Sequence, residues 1–303
     1  MSTLMAFDTS YLYFRAFFGV PSTFRALDGR PVNAVRGTLD FISRLVGQYR
    51  PDALVCAWDD DWRPAWRVDL LPSYKAHRVV EVADTEQELV DDDLTVQVPL
   101  IRECLGALGI PVVGVAQHEA DDVLASLARQ HGGTSLVVTG DRDLFQLVDD
   151  DTSVVYVARG VAKHELVTPQ WLADRYALSP ERYVDFAVLR GDPSDGLPGV
   201  KGIGEKTAAT LIDRYGDLDG IVANAGKLSP GIQRSLAGAM DYLGPAREVV
   251  AVVRDLPLPD VDLTLPTAPK DPDLFAALTE ELNLGGSAER ILAALAQSAG
   301  RST

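Results

Sequence analysis

TSLVVTGDRD (134–143) decides how the first half of this chain folds. The stretch joins a short run of apolar and β-branched residues to two aspartates, Asp141 and Asp143. A continuous run of this kind is typical of a strand that is buried on both faces of a parallel sheet. In open parallel sheets the ligand crevice lies beyond the carboxyl ends of the strands, where the two aspartates stand. The stretch therefore predicts a buried strand that brings two carboxylates to a binding site.

Four other runs of the same type predict the remaining strands: LMAFD (4–8), ALVCAWD (53–59), IPVVGV (110–115) and SVVYVA (153–158). Segments with apolar residues at helical spacing separate them, among them NAVRGTLDFISRLVGQY (33–49). This alternation predicts an α/β fold with a parallel sheet over residues 1–165. Residues 166–303 carry only helical patterns, so we expect an all-α second region that ends in a Pro- and Asp-rich tail and a last helix.

The composition limits the class of protein. With 303 residues, of which 47% are apolar, the chain is long enough for about two domains with a real core. No stretch approaches the roughly 18 apolar residues of a membrane span, and no signal-peptide pattern opens the chain, so we expect a cytoplasmic protein without membrane contact. Cys56 and Cys104 lack metal-type spacing, which argues against a disulfide framework and a zinc site and predicts two core thiols.

The formal net charge of −16 argues at first against a nucleic-acid partner, because Lys and Arg supply most non-specific affinity for phosphate. A local basic patch, however, can act on an acidic protein, and bound cations would offset part of the negative charge. Net charge alone therefore does not exclude DNA.

Nine carboxylates stand at the ends of predicted strands and helices. They are Asp8, Asp59, Glu119, Asp121, Asp122, Asp141, Asp143, Asp192 and Asp195. Each local motif alone is typical of an ordinary turn or an acidic first helical turn. Carboxylates that meet at one sheet edge repel one another, however, and divalent cations relieve that repulsion. Oxygen ligands without His or Cys favour Mg²⁺ or Mn²⁺ over zinc, so the set predicts a metal site that acts on phosphate.

The segment LPGVKGIGEKTAATLIDRYGDLDGI (197–221) has the pattern of a helix-hairpin-helix. Gly199, Gly202 and Gly204 permit a tight turn, and the following helix offers free N–H groups to an anion. Lys201 and Lys206, with Thr207 in the same motif, are placed to bind phosphates without reading base sequence. The alternative is a Gly-rich helix connection with solvated lysines.

The segment WRPAWRVDLLPSYKAHR (62–78) interleaves aromatic and basic side chains, a pattern expected of a surface that stacks bases and neutralises phosphates. Lys75 and Arg78 are three residues apart and would share a helix face. The alternative is that Trp62 and Trp66 are core residues at helical spacing.

Together these segments resemble the bacterial 5′-3′ exonuclease and flap endonuclease family, which also supplies the N-terminal nuclease domain of bacterial DNA polymerase I. The match covers roughly residues 3–260. Six motifs in family order carry it: FDTSYLYFRAFF (7–18), GRPVNAVRG (29–37), AWDDDWRPAWRVDLLPSYKAHR (57–78), HEADD (118–122), TGDRDLFQLV (139–148) and LRGDPSDGLPGVKGIGEKTA (189–208).

The resemblance implies a PIN-like, mostly parallel sheet with flanking helices. It also implies a helical arch over about residues 69–98 and an all-α helix-hairpin-helix (H3TH) region over about 185–221. It implies two or more Mg²⁺ or Mn²⁺ ions. The first would lie near Asp8, Asp59, Glu119 and Asp121, the second near Asp141, Asp143, Asp192 and Asp195, with Asp122 as a further acid of less certain role.

The implied reaction is hydrolysis of phosphodiesters in 5′-tailed, gapped or flapped duplex DNA. Lys75 and Arg78 would hold the scissile phosphate, and Tyr74 would stack on a base at the entrance. Arg15 and Arg36 match family positions near the DNA. The remaining residues leave no room for a polymerase domain, so we expect a free-standing, monomeric nuclease that works beside a replication or repair polymerase.

This sequence departs from the family pattern in two places. VVEVADTEQELVDDDL (79–94) is long and acidic, and an acidic arch would attract DNA poorly. Gly196 and Leu197 stand where the family tends to have Asn and Ile. Two other functions stay open: a catalytically silent DNA-binding module of the same fold, and a small α/β RNase of the toxin type, which lacks the helix-hairpin-helix.

Overall fold

The computed structural model describes residues 2–82 and 85–298. Its main sheet has six strands in the order β5-β2-β1-β6-β7-β8, all parallel except the last pair. The strands are β1 (Thr3–Asp8), β2 (Ala53–Ala57), β5 (Val112–Val113), β6 (Thr134–Thr139), β7 (Thr152–Tyr156) and β8 (Glu165–Val167). The five predicted strands are therefore confirmed, and β8 is an antiparallel edge strand that the sequence pattern did not reveal.

Helices flank this sheet and then continue alone. In the first half they are α1 (Thr9–Gly19), α2 (Asn33–Tyr49), α3 (Ala65–Leu70), α4 (Asp92–Thr95), α5 (Val98–Leu108) and α6 (Ala120–Gln130). The second half contains α7 (Pro169–Tyr176), α8 (Tyr183–Arg190), α9 (Glu205–Tyr215), α10 (Leu218–Ala223), α11 (Pro230–Ala237), α12 (Met240–Val250), α13 (Pro272–Glu281) and α14 (Gly286–Ser298). No helix in the described ranges is long and apolar enough to span a bilayer.

Local chemistry explains where key helices begin. The Asp8 carboxylate accepts a hydrogen bond from the Tyr11 N–H at 3.0 Å and so caps α1. Thr168 caps α7 by accepting from the Trp171 N–H at 3.2 Å, and Pro169 occupies the first helical position, where it loses no hydrogen bond. Thr168 and Pro169 follow the usual residue preferences of the cap and of the first helical turn.

The core has two layers, one on each face of the sheet. Along β1, Leu4 and Ala6 pack into one layer and Met5 and Phe7 into the other. This alternation explains why the strand is apolar throughout. Cys56 and Cys104 are buried free thiols in the core, as predicted.

The C-terminal segment returns to the first half of the chain. Its extended part runs beside β2, where the Leu265 N–H donates to the Asp52 carbonyl at 2.9 Å and the Leu54 N–H to the Leu263 carbonyl at 2.8 Å. The predicted helix near 273–283 is present as α13, and a further helix, α14, packs on α2. The last helix is therefore one element later than the prediction.

Only parts of the segment expected to form a helical arch, residues 69–98, are α-helical among the described residues: the end of α3, α4 and the first residue of α5. After α3, residues 76–78 form a single 3₁₀ turn, and β3 (Val79–Val82) pairs with β4 (Thr85–Glu88) as an antiparallel hairpin. The run VVEV contains three β-branched valines in four residues, which favours a strand. Residues 83–84 of the acidic segment lie outside the described residues.

Candidate active site

An acidic pocket of about 600 Å³ opens at the carboxyl edge of the sheet, beyond β1, β2 and β6. Seven of the nine predicted carboxylates line it: Asp8, Asp59, Glu119, Asp121, Asp141, Asp192 and Asp195. Lys75 and Arg78 line it as well. The sheet edge therefore brings together residues from distant parts of the chain, as the strand pattern predicted.

Asp8 stands at the centre of the edge, at the end of β1. Its carboxylate accepts from the Thr139 hydroxyl at 2.7 Å and from the Ser10 hydroxyl at 3.2 Å. Burial, followed by the neighbouring Asp59 carboxylate, raises the pKa of Asp8 to about 7. Burial also raises the pKa of Asp59, whose carboxylate accepts from the Ala120 N–H at 2.7 Å and from the Ser10 hydroxyl.

The start of α6 presents two acids to the pocket. Asp121 is half-buried beside Asp141, and desolvation followed by that like charge raises its pKa well above the usual range. Glu119 accepts from the Tyr74 hydroxyl at 2.7 Å and also from Arg67 and Lys75. Glu119 is thus neutralised by cations, whereas Asp121 forms no ion pair with a described residue.

Asp122 does not reach the pocket, so the prediction that it binds metal is wrong for this structure. It is completely buried on the opposite side of α6. Arg67 Nη1 and Nη2 donate to its two oxygens at 2.9 and 2.8 Å, and the Val253 N–H donates at 2.8 Å. The side chain of Asp122 therefore fastens α6 to α3 and to the segment after α12. We call Arg67, Glu119 and Asp122 the Arg67 cluster.

The second group of acids lies on two loops, one after β6 and one after α8. The Asp141 carboxylate accepts from the Asp143 N–H at 2.8 Å. Asp143 lies just behind the pocket wall, and burial followed by the Asp141 charge raises its pKa well above the usual range. Arg190, itself buried, stands 3.6 Å from both Asp143 and Asp192. Burial raises the pKa of Asp195 to about 6.

Lys75 and Arg78 lie on a loop that is locked to the Asp195 loop. The Lys75 N–H donates to the Asp195 carbonyl at 3.0 Å, and Arg78 Nη2 donates to Asp195 Oδ1 at 3.0 Å. Gly196 has a φ of +71°, and a Cβ there would lie 2.0 Å from the Ser73 carbonyl oxygen. Glycine at this position therefore permits the close approach of the two loops.

The predicted DNA contacts are distributed more widely. Tyr74 is 5% exposed and its hydroxyl faces Glu119, so the expected base-stacking role at the entrance is contradicted. Arg15 donates to the Ala158 carbonyl at 2.9 Å beside the acidic pocket. Arg36 is remote from it: its guanidinium donates to the Asn283 carbonyl at 2.7 Å and stacks over Phe24.

The predicted hairpin between two helices is present, and α8 and α9 flank it. Gly199 and Gly202 have φ values of +64° and +79°, and a Cβ on Gly199 would lie 2.6 Å from the Arg190 carbonyl oxygen. The Gly199 N–H donates to the Tyr242 hydroxyl at 3.2 Å, which pins the hairpin to α12. Gly204 precedes α9, Lys201 and Lys206 are exposed to solvent, and Thr207 is half-buried.

The donor set of the acidic pocket fits hard divalent cations. Its possible ligand atoms are carboxylate oxygens, burial raises the pKa of Asp8 and of Asp121, and Asp143 Oδ1 is buried without a hydrogen-bond partner. No three His, Cys, Asp or Glu side chains in the described ranges converge closely enough to hold an ion as they stand. The carboxylates instead surround one cavity and raise one another's pKa, which is the situation that a cation relieves.

Sequence reasoning missed Arg67, Arg142, Arg190, Ser10 and Thr139. Arg142 lies 3.8 Å from Asp192 and 3.6 Å from Glu205, so it links the strand loop to the hairpin. The sequence could have indicated Arg142 and Arg190, because each stands within or directly before an acidic motif. Arg67 carried no such signal, because its partners lie 52 and 55 residues away.

Comparisons with known proteins agree with the fold and with the resemblance. The family model for the 5′-3′ exonuclease N-terminal, resolvase-like domain matches residues 3–177, and that for the 5′-3′ exonuclease C-terminal SAM fold matches residues 178–273. A 5′-3′ exonuclease of Streptomyces coelicolor is 51% identical, with 96% of this chain and 99% of that protein covered. A 5′-3′ exonuclease of Mycobacterium tuberculosis is 46% identical, with 97% and 98% covered.

DNA polymerase I of Mycobacterium tuberculosis is 38% identical over 98% of this chain, which corresponds to 32% of that polymerase. Among solved structures, the T5 D15 protein co-crystallised with metal ions has a TM-score of 0.65 at 16% identity, with 98% of this chain and 99% of that chain covered. The catalytic core of Rad2 in complex with DNA substrate has a TM-score of 0.60 at 15% identity, with 96% and 91% covered. Both share the fold of this chain.

Proposed function

Because the chain belongs to the 5′-3′ exonuclease family, a family of nucleases, we propose that its acidic pocket hydrolyses phosphodiesters in 5′-tailed, flapped or gapped duplex DNA. One observation carries the proposal. Seven carboxylates at the ends of strands and helices surround a single pocket, and three cationic side chains, Lys75, Arg78 and Arg142, line it as well. This combination suits a reaction in which negative charge increases on phosphate oxygens.

The mutual effects of the acids support two metal positions. Beyond burial, the pKa of Asp121 is raised by Asp141 and Asp8, and that of Asp143 is raised by Asp141, Asp195 and Asp192. Asp141 thus raises the pKa of an acid near each of the two positions. We assign the first position to Asp8, Asp59, Glu119 and Asp121, and the second to Asp141, Asp143, Asp192 and Asp195. Mg²⁺ and Mn²⁺ suit these oxygen ligands. When bound, such cations lower the pKa of a water molecule and neutralise phosphate charge.

The chain's own cations orient the phosphate. Burial alone would lower the pKa of Lys75, but the Glu119 carboxylate raises it well above the usual range, so the ammonium stays charged. Lys75 forms an ion pair with Glu119, and Arg78 forms an ion pair with Asp195. Transfer of these two donors from carboxylate to substrate phosphate would fix the scissile group and stabilise the charged transition state.

The loop after α8 joins the pocket to the helix-hairpin-helix. Asp192 and Asp195 lie at its start, and the Gly199–Gly204 turn lies at its end. The helix α9 begins without a side-chain cap, so its first N–H groups are available to a phosphate, with Lys201 and Lys206 exposed nearby. A duplex whose backbone rests on this hairpin would have its 5′ end directed to the carboxylates.

Several finer features belong to the same proposal. We propose a nuclease core over residues 1–165 and a helical DNA-binding region over 166–303, acting as a monomer in the cytoplasm. The likeness to the N-terminal third of DNA polymerase I supports a replication or repair polymerase as the functional partner. The hairpin side chains Glu88 and Leu89 line the acidic pocket, so an acidic element replaces the arch at its entrance.

The test is cleavage of a 5′-labelled flap duplex. We expect short labelled products in Mg²⁺ or Mn²⁺ and none in EDTA. The variant Asp141→Asn with Asp143→Asn should be inactive, because it removes two ligands without changing shape. A matched variant, Asp150→Asn with Asp260→Asn, removes two exposed acids and should cleave normally.

Persistent cleavage by the Asp141/Asp143 variant would falsify the metal assignment. Flap binding without cleavage by the unmodified protein would indicate a catalytically silent DNA-binding module. Preferential cleavage of RNA of the same structure would indicate an RNase.

A further inference from the structure

A second groove opens beside the acidic pocket, between α1, α2 and α14. It encloses about 1130 Å³, compared with about 600 Å³ for the acidic pocket. Tyr11, Phe14 and Phe18 line both cavities, so one face of α1 forms a shared wall. We call this cavity the α14 groove. It adjoins the site of the proposed reaction across this wall.

The α14 groove is aromatic and open. Phe18 is 77% exposed, an unusual position for so large an apolar side chain, and Phe41 lines the groove from α2. Small residues leave the space between the helices unfilled: a Cβ added to Gly19 or Gly47 would meet no atom within 4 Å. Flat rings with free space beside them are suited to stacking.

The groove is also basic, although the chain as a whole is strongly acidic. Arg15 and Arg44 line it, and Arg44 is exposed and forms no ion pair or hydrogen bond with any described residue. Asp40 is the one acidic residue among the described lining residues, and Arg290 neutralises it through two hydrogen bonds of 2.9 Å. The free charge in the groove is therefore positive.

One wall of the groove comes from outside the residues that the family models match. Those matches end at residue 273, whereas Arg290, Ala293 and Gln297 belong to α14. The groove therefore depends on a part of the chain that no functional argument has yet used.

We propose that the α14 groove binds the unpaired 5′ strand of the DNA whose scissile phosphate lies in the acidic pocket. The inference rests on the proposed function and adds a binding site to it. Aromatic rings stack on bases regardless of sequence, and unpaired arginines neutralise backbone phosphates, which is how single strands are generally held. Because Tyr11, Phe14 and Phe18 line both cavities, a strand that leaves the acidic pocket over α1 would reach the groove directly.

The experiment measures affinity by fluorescence anisotropy in EDTA, so that no strand is cut. Three labelled duplexes share the same paired sequence: one is blunt, one has a 5′ tail and one has a 3′ tail. Arg44→Ala removes the free cation, and Ala293→Trp fills the groove from an exposed position. Arg182→Ala is the charge-matched control, since Arg182 is exposed and lies in neither cavity.

We expect the 5′ tail to tighten binding to the unmodified protein. Arg44→Ala and Ala293→Trp should each weaken binding of the 5′-tailed duplex by about fivefold and leave the blunt duplex within about twofold. Arg44→Ala should also reduce the slope of log affinity against log salt by about 0.7, the value for one phosphate contact on a single strand. Arg182→Ala should change neither duplex selectively.

The proposal is overturned if the 5′ tail adds no affinity, or if both groove variants bind the tailed duplex as well as the unmodified protein does. It is also overturned if the variants weaken only the 3′-tailed duplex, or weaken blunt and tailed duplexes equally. The proposed function is judged separately. If the unmodified protein cleaves no 5′-tailed, flapped or gapped duplex in Mg²⁺ or Mn²⁺, that function fails whatever the binding pattern.

Discussion

Two groups of buried carboxylates in this protein differ in what neutralises them. In the acidic pocket, Asp8 and Asp121 form no ion pair with any described lysine or arginine, and burial raises the pKa of both. In the Arg67 cluster, Asp122 is completely buried, and its carboxylate accepts hydrogen bonds from Nη1 and Nη2 of Arg67. Both groups begin as acids near strand or helix ends. Asp122 therefore holds the fold through Arg67, whereas Asp8 and Asp121 lack such a partner in the described residues. Glu119 and Asp195 are intermediate, because each forms an ion pair and also lines the acidic pocket.

The largest expected effect is the loss of activity when Asp8, an acid of the acidic pocket without an ion pair, is replaced. The variant Asp8→Asn should lose cleavage of a flap duplex by at least about a thousandfold, because it removes a charged ligand at the centre of the pocket. Its thermal unfolding temperature in EDTA should be unchanged or higher, since an uncompensated buried charge disappears.

Activity must therefore fall without a fall in stability for this variant. A fall in unfolding temperature that parallels the loss of activity would show that Asp8 acts mainly on the fold. Urea unfolding in EDTA, beside single-turnover cleavage in Mg²⁺, separates the two outcomes.

The second effect concerns Asp122, the matched acid of the other group. The variant Asp122→Ala should reduce the free energy of unfolding by about 3–5 kcal/mol, because it leaves Arg67 buried with only Glu119 as a charged partner. Urea unfolding measures the loss. The double variant Arg67→Met with Asp122→Leu should recover part of the stability, since it removes both charges. A loss below about 1 kcal/mol in the single variant would contradict the structural role.

The third effect is the pH dependence of stability without metal. The pKa values of Asp195 and Asp8 are raised to about 6 and about 7, so the native state binds protons more tightly than the unfolded state. The stability contributed by these groups is complete below pH about 4 and is lost as the pH rises through 6 and 7. In EDTA the unfolding temperature should therefore fall by about 5 °C between pH 5 and 8.

Saturating Mg²⁺ should remove most of this slope and add about 2.7 kcal/mol at a concentration of 100 Kd. A stability that rises over the same pH range in EDTA would show that the carboxylates are neutralised by protein cations, as in the Arg67 cluster.

The smallest effect tests Tyr74, which touches both groups. The variant Tyr74→Phe keeps the ring and removes only the hydrogen bond to Glu119, so it should reduce the free energy of unfolding by about 1–2 kcal/mol. The KM for a flap duplex should stay within about twofold. A severalfold rise in KM with unchanged stability would instead support a role for Tyr74 in contacting DNA.

The hairpin at residues 79–88 shows how two kinds of sequence inference can disagree. The family resemblance implied a helical arch, whereas the local run of valines favours a strand, and the structure has β3 and β4. The three valines among residues 79–82 account for the strand, because β-branched side chains favour extended backbone. The carboxylates that line the acidic pocket were easier to predict, because a strand that ends in the core presents the residues after it at the sheet edge.

The sequence by itself determined the parallel sheet, its carboxylates at the strand ends and the glycine hairpin, because periodicity and turn chemistry act over a few residues. Only the tertiary structure decided that Asp122 is paired with Arg67, that Tyr74 is buried against Glu119 and that α14 closes a groove beside α1. These features join residues from about fifty to almost three hundred positions apart. The charge state and role of a buried side chain depend on its neighbours in space, which no local pattern specifies.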